Sequence, residues 1–208
     1  MIVDENLQEN VRLFAGDMRK VSNIDGYQAD ILMSELLGSF GDNELSPECL
    51  LPTERFVKED GVFFPYDYTN YVVPISSKVL WTEVKVYASQ GSCGKVSQAH
   101  QLYPFELPYV CNIYNANFPC GQKTTPVFTF DHFVGKKHQL QSLKKHGSFQ
   151  FVVQEEQSII HGFAGYFQAR LYRDIMYSTQ PETKTQGMHS WFEMFFPVSH
   201  PMQVRKGQ

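Results

Sequence analysis

Apolar residues fall in short blocks along this chain, and their spacing changes about a third of the way in. In the first third, Val11-Arg12-Leu13-Phe14-Ala15 and Ala29-Asp30-Ile31-Leu32-Met33-Ser34 are apolar on nearly successive positions. Both are strand candidates, and the second has the pattern of a strand covered on both faces. The first block stops at Gly16-Asp17. Ser46-Pro47-Glu48 reads as a helix start: Ser as cap, Pro in the first turn, an acid near the positive end of the dipole. The helix is expected to run toward Val57, broken or shortened by Pro52, with Gly61 ending the segment. Gly61-Val62-Phe63-Phe64-Pro65 is the next strand. From about Tyr66 the texture differs. Val79, Leu80, Val84 and Tyr87 have helical spacing, and strands dominate beyond them. Tyr109 to Tyr114, Val127 to Phe130 and Phe149 to Val153 are candidates. Phe163, Gly165, Phe167, Ala169 and Leu171 lie on one face by the two-residue period. Phe192 to Val198 and Met202 to Val204 add two more. The fold expected is half an α/β layer followed by an antiparallel barrel or sandwich.

Composition supports a packed protein. Of 208 residues, 42% are hydrophobic and 19% charged, which excludes global disorder. Aromatics reach 14%, suited to sheets. A formal charge of −4 argues against a nucleic-acid binder working by bulk charge. No apolar run is long enough to cross a bilayer as a helix, and Met1-Ile-Val-Asp-Glu-Asn lacks the features of a signal peptide. Cys49, Cys93, Cys111 and Cys120 form no C-x-x-C pair, and the histidines show no metal-ligand spacing. Reduced thiols, no metal and a cytoplasmic and nuclear home are the expectations.

The informative segment is Ser34-Glu35-Leu36-Leu37-Gly38-Ser39-Phe40-Gly41-Asp42-Asn43-Glu44-Leu45-Ser46-Pro47-Glu48. A strand ends at Glu35, two glycines allow a reversal, and Glu44 returns just ahead of the helix start. Ligands of open α/β sheets collect beyond the carboxyl ends of the strands. Two carboxylates there suit one planar cation, because a guanidinium offers five donors in a fixed fork. Spacing alone favours two solvated loop acids over a catalytic or binding pair.

The same run resembles the double-glutamate loop of the protein arginine methyltransferases, in detail the type II, symmetric-dimethylating branch, the arginine methyltransferase 5 family. Gly16-Asp17-Met18-Arg19 resembles a D-M-R turn of that family. Leu50 to Pro65 resembles its helix and following strand, and Tyr71 to Ser77 the passage into its barrel. His161 to Phe167 and Gly187-Met188-His189-Ser190-Trp191-Phe192 resemble two barrel signatures.

The resemblance implies the C-terminal half of a Rossmann-like methyltransferase domain over residues 1–65. A substrate-binding antiparallel β-barrel follows over 66–208, with a dimerisation arm near 88–105. It implies that Glu35 and Glu44 hold the substrate guanidinium as catalytic residues, and that Leu37, Ser190, Trp191 and Phe192 bind substrate. Asp17 and Met18 are implied to sit beside the adenine of S-adenosylmethionine. Implied partners are arginine-containing proteins such as histone tails and Gly/Arg-rich chains, a WD-repeat protein bound through an N-terminal domain that this stretch does not carry, and a second copy of the enzyme. Membrane and direct nucleic-acid contacts are not implied. His189 stands where the family has an aromatic, and Pro52 where it has a helix-compatible residue. No G-x-G turn follows an N-terminal strand, so the expectation is a stretch inactive alone for want of the glycine-rich cofactor loop. The alternative is a truncated, non-catalytic binding or dimerisation module. His161 is expected as a packed barrel histidine, and Trp81 as packed on the linker helix.

Overall fold

The computed structural model describes residues 7, 9–90, 103–132 and 143–208. Two unequal layers meet at residues 64–67. The first is small. β1 (Ala29–Met33) pairs in parallel with β2 (Val57–Phe64). Between them lie α1 (Ser46–Leu50) and a 3-10 turn (Leu51–Phe56). Pro52 has the effect expected of it: one α-helical turn gives way to 3-10 geometry before the strand begins. Ser46, however, is not the cap. Leu45 occupies that position in a left-handed conformation (φ 63°), and no side chain caps the helix.

Two further expectations fail here. Val11–Ala15 forms no strand, because no described strand lies beside it to take its backbone hydrogen bonds. Nor is β1 covered on both faces: Ile31 is 57% and Met33 78% exposed.

The second layer holds most of the core. β3 (Asp67–Ile75) leads into α2 (Lys78–Gln90), followed by β4 (Tyr109–Cys111), β5 (Thr125–Asp131), β6 (Gln157–Tyr172), β7 (Ile175–Ser178) and β8 (Glu193–Arg205). The sheet order is β4-β8-β6-β3-β5, with β7 on the far half of the β6 edge that β8 uses. All these pairings are antiparallel. The expected barrel is not closed: among the described residues β4 and β5 are open edges rather than partners. The expected break between Phe192–Val198 and Met202–Val204 is instead a register shift within one strand, opposite Ile160 and Gly162 of β6. Phe149–Val153 is not a strand; Val153 exchanges backbone hydrogen bonds with Gly207 and Gln208 instead. The candidate arm falls largely on residues 91–102, outside those described.

Two apolar clusters fill the sheet's faces. Val73, Ile75, Val84, Ala164, Tyr166 and Phe195 pack under α2. Leu37, Tyr68, Phe130, Phe167 and Ala169 form the other, with Tyr177 and Trp191 against it. Leu37 comes from the first layer, so the glutamate loop is rooted in the core of the second. Trp81 donates its indole N–H to the Val198 carbonyl (2.8 Å) and packs on Phe105. His161 is buried, with Nδ1 3.4 Å from the Ser76 hydroxyl; burial lowers its pKa. Both are the packing roles expected of them.

Candidate functional site

The chain leaves β1 through Ser34 and Glu35 and reverses within four residues. Gly38 and Gly41 exchange backbone hydrogen bonds of 3.0 and 2.8 Å. Gly41 has φ 80°, and a Cβ there would lie 2.7 Å from both Asn70 Oδ1 and the Tyr68 ring. Conformation and space both demand glycine. The Phe40 N–H donates to Asn43 Oδ1 (2.7 Å), closing the tip from within. The Phe40 ring meets Phe196 edge-on with centroids 5.0 Å apart. It also lies over Gly165 of β6, where a Cβ would come within 2.8 Å of it.

This bridge gives the two glutamates a simple relation. Glu35 lies three residues before Gly38 and Glu44 three after Gly41, on opposite legs of one reversal. Both are exposed. Neither carboxylate has a hydrogen-bond or ion-pair partner among the described residues. A strained residue follows: the left-handed Leu45 turns the chain into α1 directly after Glu44.

Trp191 approaches from the second layer. Its φ of 60° is unusual for a bulky side chain, and packing holds it there. The indole Nε1–H donates to the Leu37 carbonyl at 2.5 Å. The ring meets Tyr177 edge-on at 5.0 Å and Phe167 at 6.3 Å. Met33, Ser34, Glu35, Leu37, Phe64, Pro65, Leu171, Tyr177 and Trp191 line one cavity of about 340 Å³. It is an apolar pocket whose lining residues include Glu35, with an indole hydrogen-bonded to its rim. Such a pocket suits an alkyl stem, and Glu35, exposed and unpaired, is the one acid among the residues that line it.

The other expected residues stand differently. Glu44 does not line this cavity but sits on the neighbouring turn. Ser190 and Phe192 flank Trp191 but are exposed and do not line it, Phe192 at 47%. Asp17 and Met18 lie apart from the cavity in an exposed turn. The Arg19 guanidinium grips Asp17 at 2.8–3.2 Å and holds its carboxyl down at about 2. Arg55, from the 3-10 turn, anchors this turn by donating to the Val21 carbonyl.

Reading the sequence missed three contributors. Tyr177 comes from β7, a strand of four residues whose signal was the short Arg173-Asp174 turn after β6. Phe40 and Asp42 lie inside the motif itself, masked by its glutamates. Asp42 accepts from Asn70 Nδ2 (2.7 Å), and burial raises its carboxyl pKa, which the Asn70 bond partly offsets. Beside them the Tyr68 phenol is pushed up by burial and by the Asp42 charge. Ser46 Oγ, Glu48 Oε2, Tyr68 OH and Asn70 Oδ1 are buried without a hydrogen-bond partner. Among the described residues no group of three His, Cys, Asp or Glu is placed to hold a metal.

Two family models cover nearly all of the chain. The PRMT5 arginine-N-methyltransferase model matches residues 3–64, and the PRMT5 oligomerisation domain matches 67–208. The chain is 40% identical over 203 residues to protein arginine N-methyltransferase 5 of Xenopus laevis, covering 98% of this chain and 30% of that protein. It is 39% identical over 204 residues to that of Drosophila melanogaster, covering 96% and 30%. With protein arginine N-methyltransferase skb1 of Schizosaccharomyces pombe it shares 36% over 217 residues, covering 98% and 32%. The chain thus spans about a third of the length of these relatives. Two solved structures share the fold. The Trypanosoma brucei PRMT1 enzyme–prozyme heterotetrameric complex with AdoHcy has a TM-score of 0.70 at 16% identity, covering 99% of this chain and 63% of that one. Arabidopsis thaliana protein arginine methyltransferase 10, in an open conformation, has a TM-score of 0.68 at 15% identity, covering 99% and 65%.

Proposed function

The chain belongs to the PRMT5 arginine-N-methyltransferase family, and from that premise we propose that it carries the arginine-accepting part of a protein arginine methyltransferase. The observation that carries this reading is one cavity lined by Glu35, Leu37 and Trp191, with the Glu35 carboxylate unpaired. Residues 1–65 serve as the remaining half of a Rossmann-like domain, and 66–208 as the substrate-binding layer.

The acceptor arginine enters as a cation whose alkyl stem lies against the apolar wall. Glu35 and Glu44 hold its guanidinium from the two legs of the reversal. Trp191 stacks on the guanidinium plane, a contact of about 0.5–2 kcal/mol. Arginine is a weak nucleophile because its lone pairs are delocalised. Two carboxylates draw the positive charge toward themselves and leave the far nitrogen richer in electrons and fixed in direction. Most of the rate gain is orientation and electrostatic preorganisation. One glutamate accepts the proton released as the nitrogen is alkylated.

S-adenosylmethionine supplies an electrophilic sulfonium methyl group when bound. The residues present fit it only in part. Met18 is exposed and Asp17 half-buried, and neither belongs to a core cluster, so they are available to the adenine once Asp17 gives up Arg19. The rest of the cofactor's contacts are assigned to a glycine-rich loop outside this stretch, so the chain alone binds the cofactor weakly and is inactive. The product is symmetric dimethylarginine on histone tails and Gly/Arg-rich proteins, in the cytoplasm and nucleus. A second copy of the chain pairs through the 67–208 layer, and a WD-repeat partner binds through a domain outside this stretch.

The test joins the chain to the segment that precedes the matching stretch in the Xenopus relative. Methyl transfer to a Gly/Arg peptide is then followed by mass spectrometry. The expected result is symmetric dimethylarginine, abolished by Glu35→Gln or Glu44→Gln while cofactor binding persists. Full turnover in either variant removes that glutamate from the mechanism, and asymmetric product removes the type II assignment.

A further inference from the structure

Asn70 is fully buried in the middle of β3, opposite Phe128 of β5 and Phe167 of β6. An amide at such a place is costly unless it is hydrogen-bonded. Its Nδ2 donates across the layer boundary to Asp42 Oδ1 at 2.7 Å. Tyr68, two residues earlier, belongs to the same face of the strand. Tyr68 and Asn70 together leave room above them only for the Cα of Gly41. The second layer therefore presents a fitted seat to the glutamate loop, with one polar bond inside it.

Asp42 is the residue from which the far leg of that loop hangs. Its N–H donates to the Phe40 carbonyl (3.1 Å), and its carbonyl accepts from the Leu45 N–H (3.1 Å). Glu44 lies inside the turn so closed. On the near leg, the Leu37 carbonyl accepts from the Trp191 indole. The loop is thus pinned once on each leg: Leu37 to Trp191 on the side of Glu35, and Asp42 to Asn70 on the side of Glu44.

We propose that Asp42 and Asn70 are positioning residues. Their hydrogen bond sets the leg bearing Glu44 against the leg bearing Glu35, so that both carboxylates reach one guanidinium. This deepens the arginine-acceptor reading and rests on it. Neither residue touches the substrate; Asp42 acts through Glu44.

The test uses the chain itself, with a Gly/Arg peptide as the probe, in calorimetric titrations of the wild type, Asp42→Ala, Glu44→Gln and the double variant. Asp42→Ala and Glu44→Gln are each expected to weaken peptide binding about ten-fold, the equivalent of one lost hydrogen bond to a charged group. The double variant is expected to be no weaker than about two-fold beyond either single one, because both changes remove the same contact. Asp42→Asn keeps an acceptor oxygen and is expected to bind as the wild type does. Losses that multiply in the double variant, or wild-type binding by Asp42→Ala, overturn the proposal. Amide hydrogen exchange gives an independent reading. In Asp42→Ala, exchange at Gly41 and Leu45 is expected to speed up while β6 stays protected; unchanged exchange at both amides also overturns the clamp. Should the wild type bind no arginine peptide while those amides still loosen, the clamp stands and the acceptor reading falls.

Discussion

The two layers solve opposite problems. In the six-stranded layer, Tyr68, Phe167 and Phe195 are sealed, with at most 1% of each exposed. In the two-stranded layer, Leu13, Ile31 and Met33 face outward, and among the described residues one parallel pair of strands makes the sheet. Parallel sheets are normally covered on both faces; here Leu50, Val57 and Phe63 are sealed while Ile31 and Met33 are open, so the small layer is covered only in part. The glutamate loop leaves the weaker layer but takes its rigidity from the stronger one, through Leu37, Phe40, Gly41 and Asp42. A site built this way keeps its geometry as long as the large sheet holds.

The sharpest way to break that contrast is to cut a sealed side chain from the large layer and an open one from the small layer. Phe195→Ala is expected to cost about 3–5 kcal/mol in denaturant unfolding. Met33→Ala is expected to stay within about 0.5 kcal/mol, as exposed positions do. Equal losses would mean that the layers share one core.

Gly165→Val comes next. Its side chain would claim the space of the Phe196 and Phe40 rings, at an expected cost of about 1–3 kcal/mol from overpacking. The loop should lift from β6, and Gly/Arg peptide binding should fall with it. Peptide binding that survives the substitution would show that Phe40 does not seat the loop.

A smaller effect follows pH. His132 is buried, its Nδ1 2.9 Å from the Pro65 carbonyl and its Nε2 without a partner. Burial lowers its pKa below 6.5 in the folded state, despite the Pro65 carbonyl. The unfolded chain therefore binds a proton first, and stability falls as pH drops from about 6.5 toward the lower folded value. Unfolding midpoints measured across that window should fall less steeply for His132→Asn than for the wild type. Parallel curves would show that His132 takes no part.

Asp17 and Arg19 should matter least. Their pair lies near the surface, with Arg19 47% and Asp17 29% exposed. Its contribution is present above pH 3.8, fades as pH falls toward about 2, and is screened by salt. Asp17→Asn should leave the unfolding midpoint at pH 7 unchanged in ordinary buffer.

The sequence was legible where local chemistry is strong. The two-residue period of Phe163 to Leu171 became β6, Pro52 cut its helix short, and two glycines made the reversal. It was opaque where the partner is distant. β3 carries Asn70 and Pro74 at buried positions, which dilute its strand pattern, yet it is an interior strand of the sheet, between β6 and β5. Val11–Ala15 has strand propensity, but among the described residues no strand pairs with it. For the site, the motif singled out Glu35 and Glu44. Nothing local foretold that Trp191, more than 150 residues away, would bond to the Leu37 carbonyl.

The most direct measurement is a calorimetric titration of one peptide pair into the chain: a Gly/Arg peptide, and the same peptide with its arginines replaced by lysine. A planar fork held by paired carboxylates under an indole predicts saturable binding of the arginine form. Binding should be about ten-fold weaker for lysine, and for the arginine form with Glu35→Gln. Equal affinity for the two peptides, unaffected by Glu35→Gln, would contradict the account.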